Sequence, residues 1–355
     1  MTLAPRGLNG GVTLDRKRVL AYRFAAQTGS AVLDVGVQDT GPDGAPWALA
    51  VRNAAPDDLV YAWTIRGAPH AYRRKDIAEV AAATRPFSEA DAGKRIFDAN
   101  TPLRKAGIPA LQALERIADE MRHIVQSPMV KGEVSQALTA TLPEEYVRFC
   151  RSCNATHPFE QTFRIAALQA GLELEPGTSP PVLRPIDGWT GPAETVSDRF
   201  DLIRGYLRLL GPAKPAHVAS YLDSPVGEVK ARWPADAIDT EHGSILEADS
   251  SALGKAKSTA LRLLGPFDLY LQARDRELLV PDQARRKQLW PVLGRPGAVV
   301  RGGEIVAIWR PKTAGKKLTI LVEPWAPLDT DAIEVQAQRL ADFRGIPTVS
   351  VQLSN

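Results

Sequence analysis

Two stretches of the chain repeat one pattern, and that repetition restricts the fold more than any other feature of the sequence. Lys131-Gly-Glu-Val134-Ser-Gln-Ala-Leu138 and Pro215-Ala-His-Val218-Ala-Ser-Tyr-Leu222 each open on Lys or Pro, then carry Val, a small residue and Leu at matching places. Each follows an amphipathic run, Leu111 to Ile124 in the first case and Asp201 to Leu210 in the second, whose apolar residues recur at helical spacing. The pattern is helix, short turn, helix. In the second copy Gly227-Glu-Val-Lys-Ala-Arg-Trp-Pro234 follows at once, short, basic and stopped by proline, as the recognition helix of a helix-turn-helix is. Wings are expected at Arg164 to Glu173 with the Gly- and Pro-rich run Pro176 to Pro185, and at Ala235 to Ala248. Two generic helical hairpins would leave the same echo.

The flanking segments divide by period and by punctuation. Leu14 to Gln27 sets Val19, Leu20, Phe24 and Ala25 on one side of a helix, with Thr13 as its N-cap. The run Ala31 to Gln38 leads into Asp39-Thr40-Gly41-Pro42-Asp43-Gly44, where Gly and Pro end regular structure, and Ala45 to Arg52 is a second helix. Leu59 to His70 is a strand running into a Gly-Ala-Pro turn, and Ile77 to Ala83 and Ile108 to Ile124 are helical. Beyond them the character changes to strands at Glu277 to Val280, Ala298 to Trp309 and Lys317 to Val322, with a hairpin at Arg301-Gly302-Gly303-Glu304. A helix from Thr330 to Arg344 and a last strand from Thr348 to Leu353 close the chain.

At 355 residues the chain suits two to four domains. No apolar run is long enough to span a bilayer, and Met1 to Gly11 lacks the apolar centre of a secretory signal, so no membrane partner is expected and the cytoplasm is the expected compartment. Charge is uneven. Residues 255–317 hold 14 Lys and Arg against 5 Asp and Glu, a net of +9, so the rest carries −6 of the overall +3. Such an excess in one module is the footprint of a polyanion binder, or else a solvated basic face. Arg285, Arg286 and Lys287 lie at its centre, and the hairpin glycines Gly302 and Gly303 permit close backbone approach to a duplex, with Arg301 set to reach a groove or phosphate.

Enzyme signatures are sparse. There is no P-loop, GxGxxG, HExxH or nucleophile elbow, which argues against nucleotide hydrolases, dehydrogenases, zinc proteases and α/β-hydrolases. Cys150-x2-Cys153-x3-His157 has the proximity of zinc ligands but no evident fourth. Inert thiols buried in the layer after Tyr146 and Phe149 are the expected state, and no metal is assigned.

Several short motifs resemble, in order and spacing, the AlkZ/YcaQ superfamily of winged-helix DNA glycosylases. They are Gly36-Val-Gln38-Asp39-Thr40, Trp47-Ala-Leu-Ala-Val-Arg52, Trp63-Thr-Ile-Arg66-Gly67-Ala68-Pro69-His70, Lys131-Gly-Glu-Val-Ser, Leu210-Gly211-Pro212, Gly265-Pro266-Phe267-Asp268 with Arg276, and Gly303-Glu-Ile-Val-Ala-Ile-Trp309-Arg310. The resemblance covers roughly residues 15–325. It implies an α+β chain of tandem winged-helix domains followed by a β-rich C-terminal domain, divided as 1–125, 126–192, 193–262 and a basic 263–355. It further implies a monomer acting on double-stranded DNA at the bacterial nucleoid without a small-molecule cofactor, releasing alkylated or crosslinked bases.

The family's catalytic element is Gln-x-Gln or Gln-x-Asp. Here Gln38 matches, Thr40 occupies the third position, and the carboxylate has moved to Asp39. In an extended run Gln38 and Thr40 share a face and Asp39 points away from it, toward the core or a neighbouring Arg. Gln38, Asp39 and Thr40 are therefore the candidate catalytic residues, with a turn that merely shapes the loop as the plain alternative. His70 and Arg66 match the family's Arg-Gly segment and are expected at DNA, as is Arg310. A non-catalytic winged-helix regulator is the main rival reading, and a scaffold that never touches DNA a third.

Overall fold

The computed structural model describes residues 14–354 except Pro42 and Asp57, so Thr13 and the Pro42 part of the expected turn lie outside the described residues. Asp15 caps the first helix, Arg16–Ala26, its carboxylate accepting from the Arg18 amide at 2.8 Å. The buried face of that helix is Val19, Leu20, Tyr22, Arg23 and Phe24, whereas Ala25 is exposed. Arg23 enters the core because its charge is matched. Asp275 takes two bonds at 2.9 and 2.6 Å, and the Gly211 and Pro212 carbonyls take the rest.

After a 3-10 turn, Gly29–Asp34, a two-residue strand Val37–Gln38 forms the edge of a three-stranded sheet, paired with Pro69–Arg73 and beyond it Leu59–Trp63. The expected single strand from Leu59 to His70 is thus a hairpin, folded at Ile65–Gly67. Helices Gly44–Ala50, Ile77–Thr84, Glu89–Arg95 and Asn100–Lys105 complete this segment; the last two are too short to show a helical period in the sequence.

The two echoes adopt matching element orders. In the first, helix Ala110–Ile124 leads to strand Met129–Val130, helix Lys131–Thr141, an inserted hairpin Val147–Cys150 with Ala155–Pro158, helix Glu160–Gln169, and strands Leu172–Leu174 and Val182–Pro185. Met129–Val130 pairs with Val182–Pro185. In the second, Leu202–Leu210 is followed by Ala213 bridged to Ser244, helices Pro215–Leu222 and Val226–Ala231, and the hairpin Ala237–Thr240 with Gly243–Leu246. Arg164 to Gln169, expected in a wing, belongs to a helix, because its apolar residues Phe163, Ile165, Ala166 and Leu168 keep a helical spacing to the end at Gly171.

The C-terminal part is a five-stranded sheet in the order Leu261–Leu264, Gly297–Arg301, Glu304–Ala314, Lys317–Pro324 and Thr348–Leu353. All neighbours are antiparallel except the last pair, which the helix Thr330–Phe343 connects in parallel. Glu277 to Val280, expected as a strand, is a helical turn, Arg276–Leu279. The Val280 amide closes it onto the Arg276 carbonyl, and Arg16 donates to the Leu278 and Leu279 carbonyls. Most of the apolar core is one continuous cluster running from Leu20 to Ala341. Among the described residues no helix is long and apolar enough to cross a membrane.

The hairpin turn at Arg301 to Glu304 faces the protein's own backbone. Gly303 has φ +98°, and a Cβ there would lie 2.4 Å from the Leu20 carbonyl oxygen; at Gly302, φ +58°, it would lie 2.3 Å from that of Ser258. Glu304 is held by Arg16 at 2.7 and 2.8 Å, and Tyr270 donates to the Gly303 carbonyl. The glycines therefore serve close packing, Gly303 against helix Arg16–Ala26 and Gly302 against the Ser258 backbone, in place of the approach to a duplex expected from the sequence. Gly303→Ala is expected to lower stability by about 2 kcal/mol or more, read as a lower midpoint in urea unfolding. Unchanged stability would show that the turn is free to move off that helix.

Candidate active site and nucleic-acid interface

Gln38 ends the edge strand opposite His70, and its side chain is fixed at both ends of the amide. Its Nε2 donates to Thr40 Oγ1 at 3.0 Å, and Oε1 accepts from Arg66 at 3.3 Å. Gln38 and Thr40 thus share a face. Asp39 turns the other way, toward the next helix, where its Oδ1 accepts from the Ala45 amide at 2.8 Å and satisfies a helix N-terminus that Asp43 does not cap. The approach is so tight that a Cβ on Gly44 would fall 2.0 Å from Asp39 Oδ1. Burial raises the Asp39 carboxyl above its ordinary range, partly offset by the bond from Ala45.

Arg66 is presented by a strained turn. It is a non-glycine residue at φ 59°, ψ 23°, a conformation that costs of order 1 kcal/mol and persists only where neighbours impose it. Thr64 and Ala68 close the turn around it, with the Thr64 amide on the Ala68 carbonyl at 3.0 Å and the Gly67 amide on Thr64 at 2.9 Å. The guanidinium stacks over Tyr221 at 4.9 Å, donates to the Tyr221 carbonyl at 2.5 Å, and reaches Gln272 Oε1 at 3.4 Å. Burial pulls Arg66 below the usual guanidinium range and the charge of Arg274 adds to the effect, while Tyr221 and Asp223 act against it.

His70 does not reach a phosphate. It is 2% exposed, its Nδ1 lies 3.0 Å from Thr64 Oγ1 and 2.9 Å from the Ala68 carbonyl, and Thr64 in turn meets the Tyr72 hydroxyl at 2.8 Å. Burial, and then the charge of Arg66, push it down to about 3. A neutral imidazole behind the strand supports the turn that aims Arg66, which corrects the expected DNA contact.

Three residues that the sequence did not single out complete the surroundings of Gln38: Tyr221 from the second echo, and Gln272 and Arg274 from the segment after Asp268. Their only signal was Arg274's place in the basic excess. Arg274 begins a row of cations. Burial lowers Arg276 and Arg295 from the ordinary range, and Arg274's charge lowers both further. Arg276 stacks on Trp290 at 4.8 Å and Arg295 on Phe267 at 5.3 Å. Among the described residues Arg66, Arg274, Arg276 and Arg295 form no salt bridge with a carboxylate, whereas Arg23, Arg52, Arg73 and Arg204 all do. Arg274 and Arg276 line a groove of about 690 Å³ shared with Lys214, Lys287 and Trp290 and also with the carboxylates of Glu241, Asp275 and Glu277.

The other expected basic contacts are distributed unequally. Lys287 is exposed in helix Gln283–Leu289 and lines the groove. Arg286 is largely committed, donating to the Val280 and Pro281 carbonyls at 2.9 and 2.6 Å and facing Glu277 at 3.6 Å. Arg285 packs over Trp325 at 5.6 Å and donates to its carbonyl. Arg310 donates to the Gly294 carbonyl at 2.6 Å, bracing a loop whose Val292 and Leu293 are 96% and 86% exposed. Arg301 lies with Lys17, Arg18 and Lys257 along a separate shallow groove and shares no contact with Gln38.

A family model for AlkZ-like DNA glycosylases matches residues 35–343. Among solved structures the fold is similar to Streptomyces sahachiroi DNA glycosylase AlkZ, at 20% sequence identity and a TM-score of 0.71, covering 97% of this chain and 100% of that one. No curated protein matches.

Proposed function

The chain belongs to the AlkZ-like DNA glycosylase family, and from that premise we propose that it hydrolyses the N-glycosidic bond of N7-alkylated purines in double-stranded DNA, in the cytoplasm at the nucleoid. The carrying observation is Gln38, held by Thr40 on one side and by a strained, carboxylate-free arginine on the other.

The chemistry suits that site. An N7-alkylpurine is cationic, so when its bond to the sugar C1′ breaks the electron pair returns to the base, which departs neutral without an acid. Water then adds to the oxocarbenium-like sugar and releases its proton to solvent. The Gln38 amide orients that water through the donor and acceptor capacity its two anchors leave free. Asp39, occupied at the helix N-terminus, does not serve as the base in this reading. Arg274 and Arg276 bind phosphates along the groove, Arg66 and Arg295 add positive charge beside it, and the apolar tip Val292–Leu293 enters or props the duplex between basic flanks. The Arg301 surface has no part in lesion binding here.

We read the two echoes as winged-helix units, with a third in the segment before Ala110, and the sheet from Leu261 as the β-rich domain. Helix Ala110–Ile124 packs on Lys131–Thr141 and Glu160–Gln169, which favours a first boundary near residue 109 over 125. The chain acts as a monomer. Purified protein incubated with duplex containing N7-methylguanine is expected to release free base and leave heat-labile abasic sites; absence of both, with binding retained, would favour the non-catalytic reading. That second reading draws on the missing carboxylate or amide at Thr40.

Binding has its own test. Reversal of Arg276 and Lys287 to Glu together is expected to lower duplex affinity at least about tenfold and to flatten the salt dependence by about two phosphate contacts. Fluorescence anisotropy across a salt series reads both. Arg16 is no neutral control for this measurement, since Glu304 and two carbonyls hold it in place; Lys105 on helix Asn100–Lys105 serves instead. A reversal without effect would remove the groove from the interface.

A further inference from the structure

We propose that Cys150, Cys153 and His157 bind one zinc ion, with water in the fourth position. The three sit on the hairpin inserted between helices Lys131–Thr141 and Glu160–Gln169, where Arg148 pairs with His157 and Cys150 with Ala155. Asn154, at φ 50°, folds the connecting turn back so that both sulfurs come to the histidine side. The ligand atoms all lie within 4.8 Å of one another. A tetrahedral zinc with bonds of ~2.0–2.3 Å has edges of roughly 3.5–3.8 Å, a closure that side-chain rotation supplies.

Two details prepare the set. His157 Nδ1 lies 2.7 Å from the Pro158 carbonyl, so Nδ1 carries the proton and Nε2 keeps its lone pair, the arrangement by which an outer hydrogen bond orients a metal-binding imidazole. Ser152 Oγ lies 3.0 Å from Cys150 Sγ and 4.0 Å from Cys153 Sγ. As the metal binds, each thiol still protonated gives its proton to the buffer.

The hairpin also needs such a crosslink. The buried thiols expected from the sequence are absent: Cys150 is half-buried, Cys153 exposed, and Phe149 is 62% exposed. A two-stranded hairpin with little apolar burial is marginal in water, and a metal replaces the core it lacks. A Cys150–Cys153 disulfide would also tether the turn, but it would leave the prepared His157 without a role.

The site is independent of the glycosylase reading and is tested without DNA. Reduced, chelator-treated full-length protein is titrated with Co(II). The expected result is saturation at one equivalent, with a thiolate-to-cobalt charge-transfer band, tetrahedral ligand-field bands, and loss of both on adding Zn(II). Cys150→Ser combined with Cys153→Ser is expected to abolish the charge-transfer signature and His157→Ala to weaken binding at least about tenfold, while Ser152→Ala keeps one equivalent. Circular dichroism checks that each variant is folded, and the wild-type spectrum and stoichiometry need no variant. A wild-type spectrum without the thiolate band, or a band that survives in the folded variant carrying both Cys150→Ser and Cys153→Ser, would overturn the site.

Discussion

Gln38→Ala is expected to reduce release of N7-methylguanine from duplex DNA by about 10² or more, with affinity for the same duplex little changed. The split follows from what the side chain touches. Gln38 bonds to Arg66, which does not line the groove, so phosphate binding by Arg274 and Arg276 survives its removal. Water orientation does not survive, because the neighbouring groups are already committed: Asp39 to the Ala45 amide and His70 to the backbone behind the strand. Asp39→Asn keeps an acceptor for Ala45 and should leave base release close to wild type; a loss as large as that of Gln38→Ala would make Asp39 the base and overturn the division of roles. Thr40→Gln or Thr40→Asp restores the third residue of the Gln-x-Gln or Gln-x-Asp element that the family resemblance implies and should preserve or raise the rate. If wild type is silent and Thr40→Gln active, the chain is a DNA binder that has lost catalysis.

What the sequence made legible here has a physical pattern. The echoes were readable because each helix carries its own period, and the alternating apolar strands and the Arg301 to Glu304 turn were readable for the same local reason. The short helices Glu89–Arg95 and Asn100–Lys105 were not, since six or seven residues contain fewer than two turns. The Gln38 motif was visible by resemblance and its shared face with Thr40 by strand geometry. Its environment was not visible. Tyr221, Gln272 and Arg274 approach from distant parts of the chain, and no local spacing predicts which basic residue will lack an acid. Basic residues looked alike in the sequence, yet Arg16, Arg286 and Arg310 spend their donors on the protein while Arg274, Arg276 and Arg295 form no salt bridge. His70 was misread for a related reason: proximity to a motif in sequence placed it behind the site, where burial keeps it neutral.

Asp268→Ala is expected to cost about 3–5 kcal/mol of stability, because it strands a buried guanidinium. Arg52, 2% exposed, gives Asp268 two bonds at 2.7 and 2.6 Å and donates also to the Ala48 carbonyl and Gln27, while its Nε has no partner among the described residues. Asp268 also receives the Tyr270 amide at 2.9 Å. Without the carboxylate, neither water nor another acid reaches Arg52. The pair joins the end of helix Gly44–Ala50, which follows the Gln38 motif, to the segment that carries Gln272 and Arg274. Trp47 secures the same joint, its Nε1 donating to the Leu263 carbonyl at 2.9 Å, while Trp309 Nε1 donates to the Leu264 carbonyl at 2.9 Å inside the C-terminal sheet that receives it. The motif residues Trp47, Arg52 and Asp268 therefore hold the segment after Gln38 against the basic module, and with Trp309 they are buried. Urea unfolding of Asp268→Ala measures the loss, and the double variant Arg52→Met with Asp268→Leu is expected to recover most of it by replacing the ion pair with apolar packing. A single variant as stable as wild type would mean that the joint opens to water and that Gln38 and the groove are not held in register.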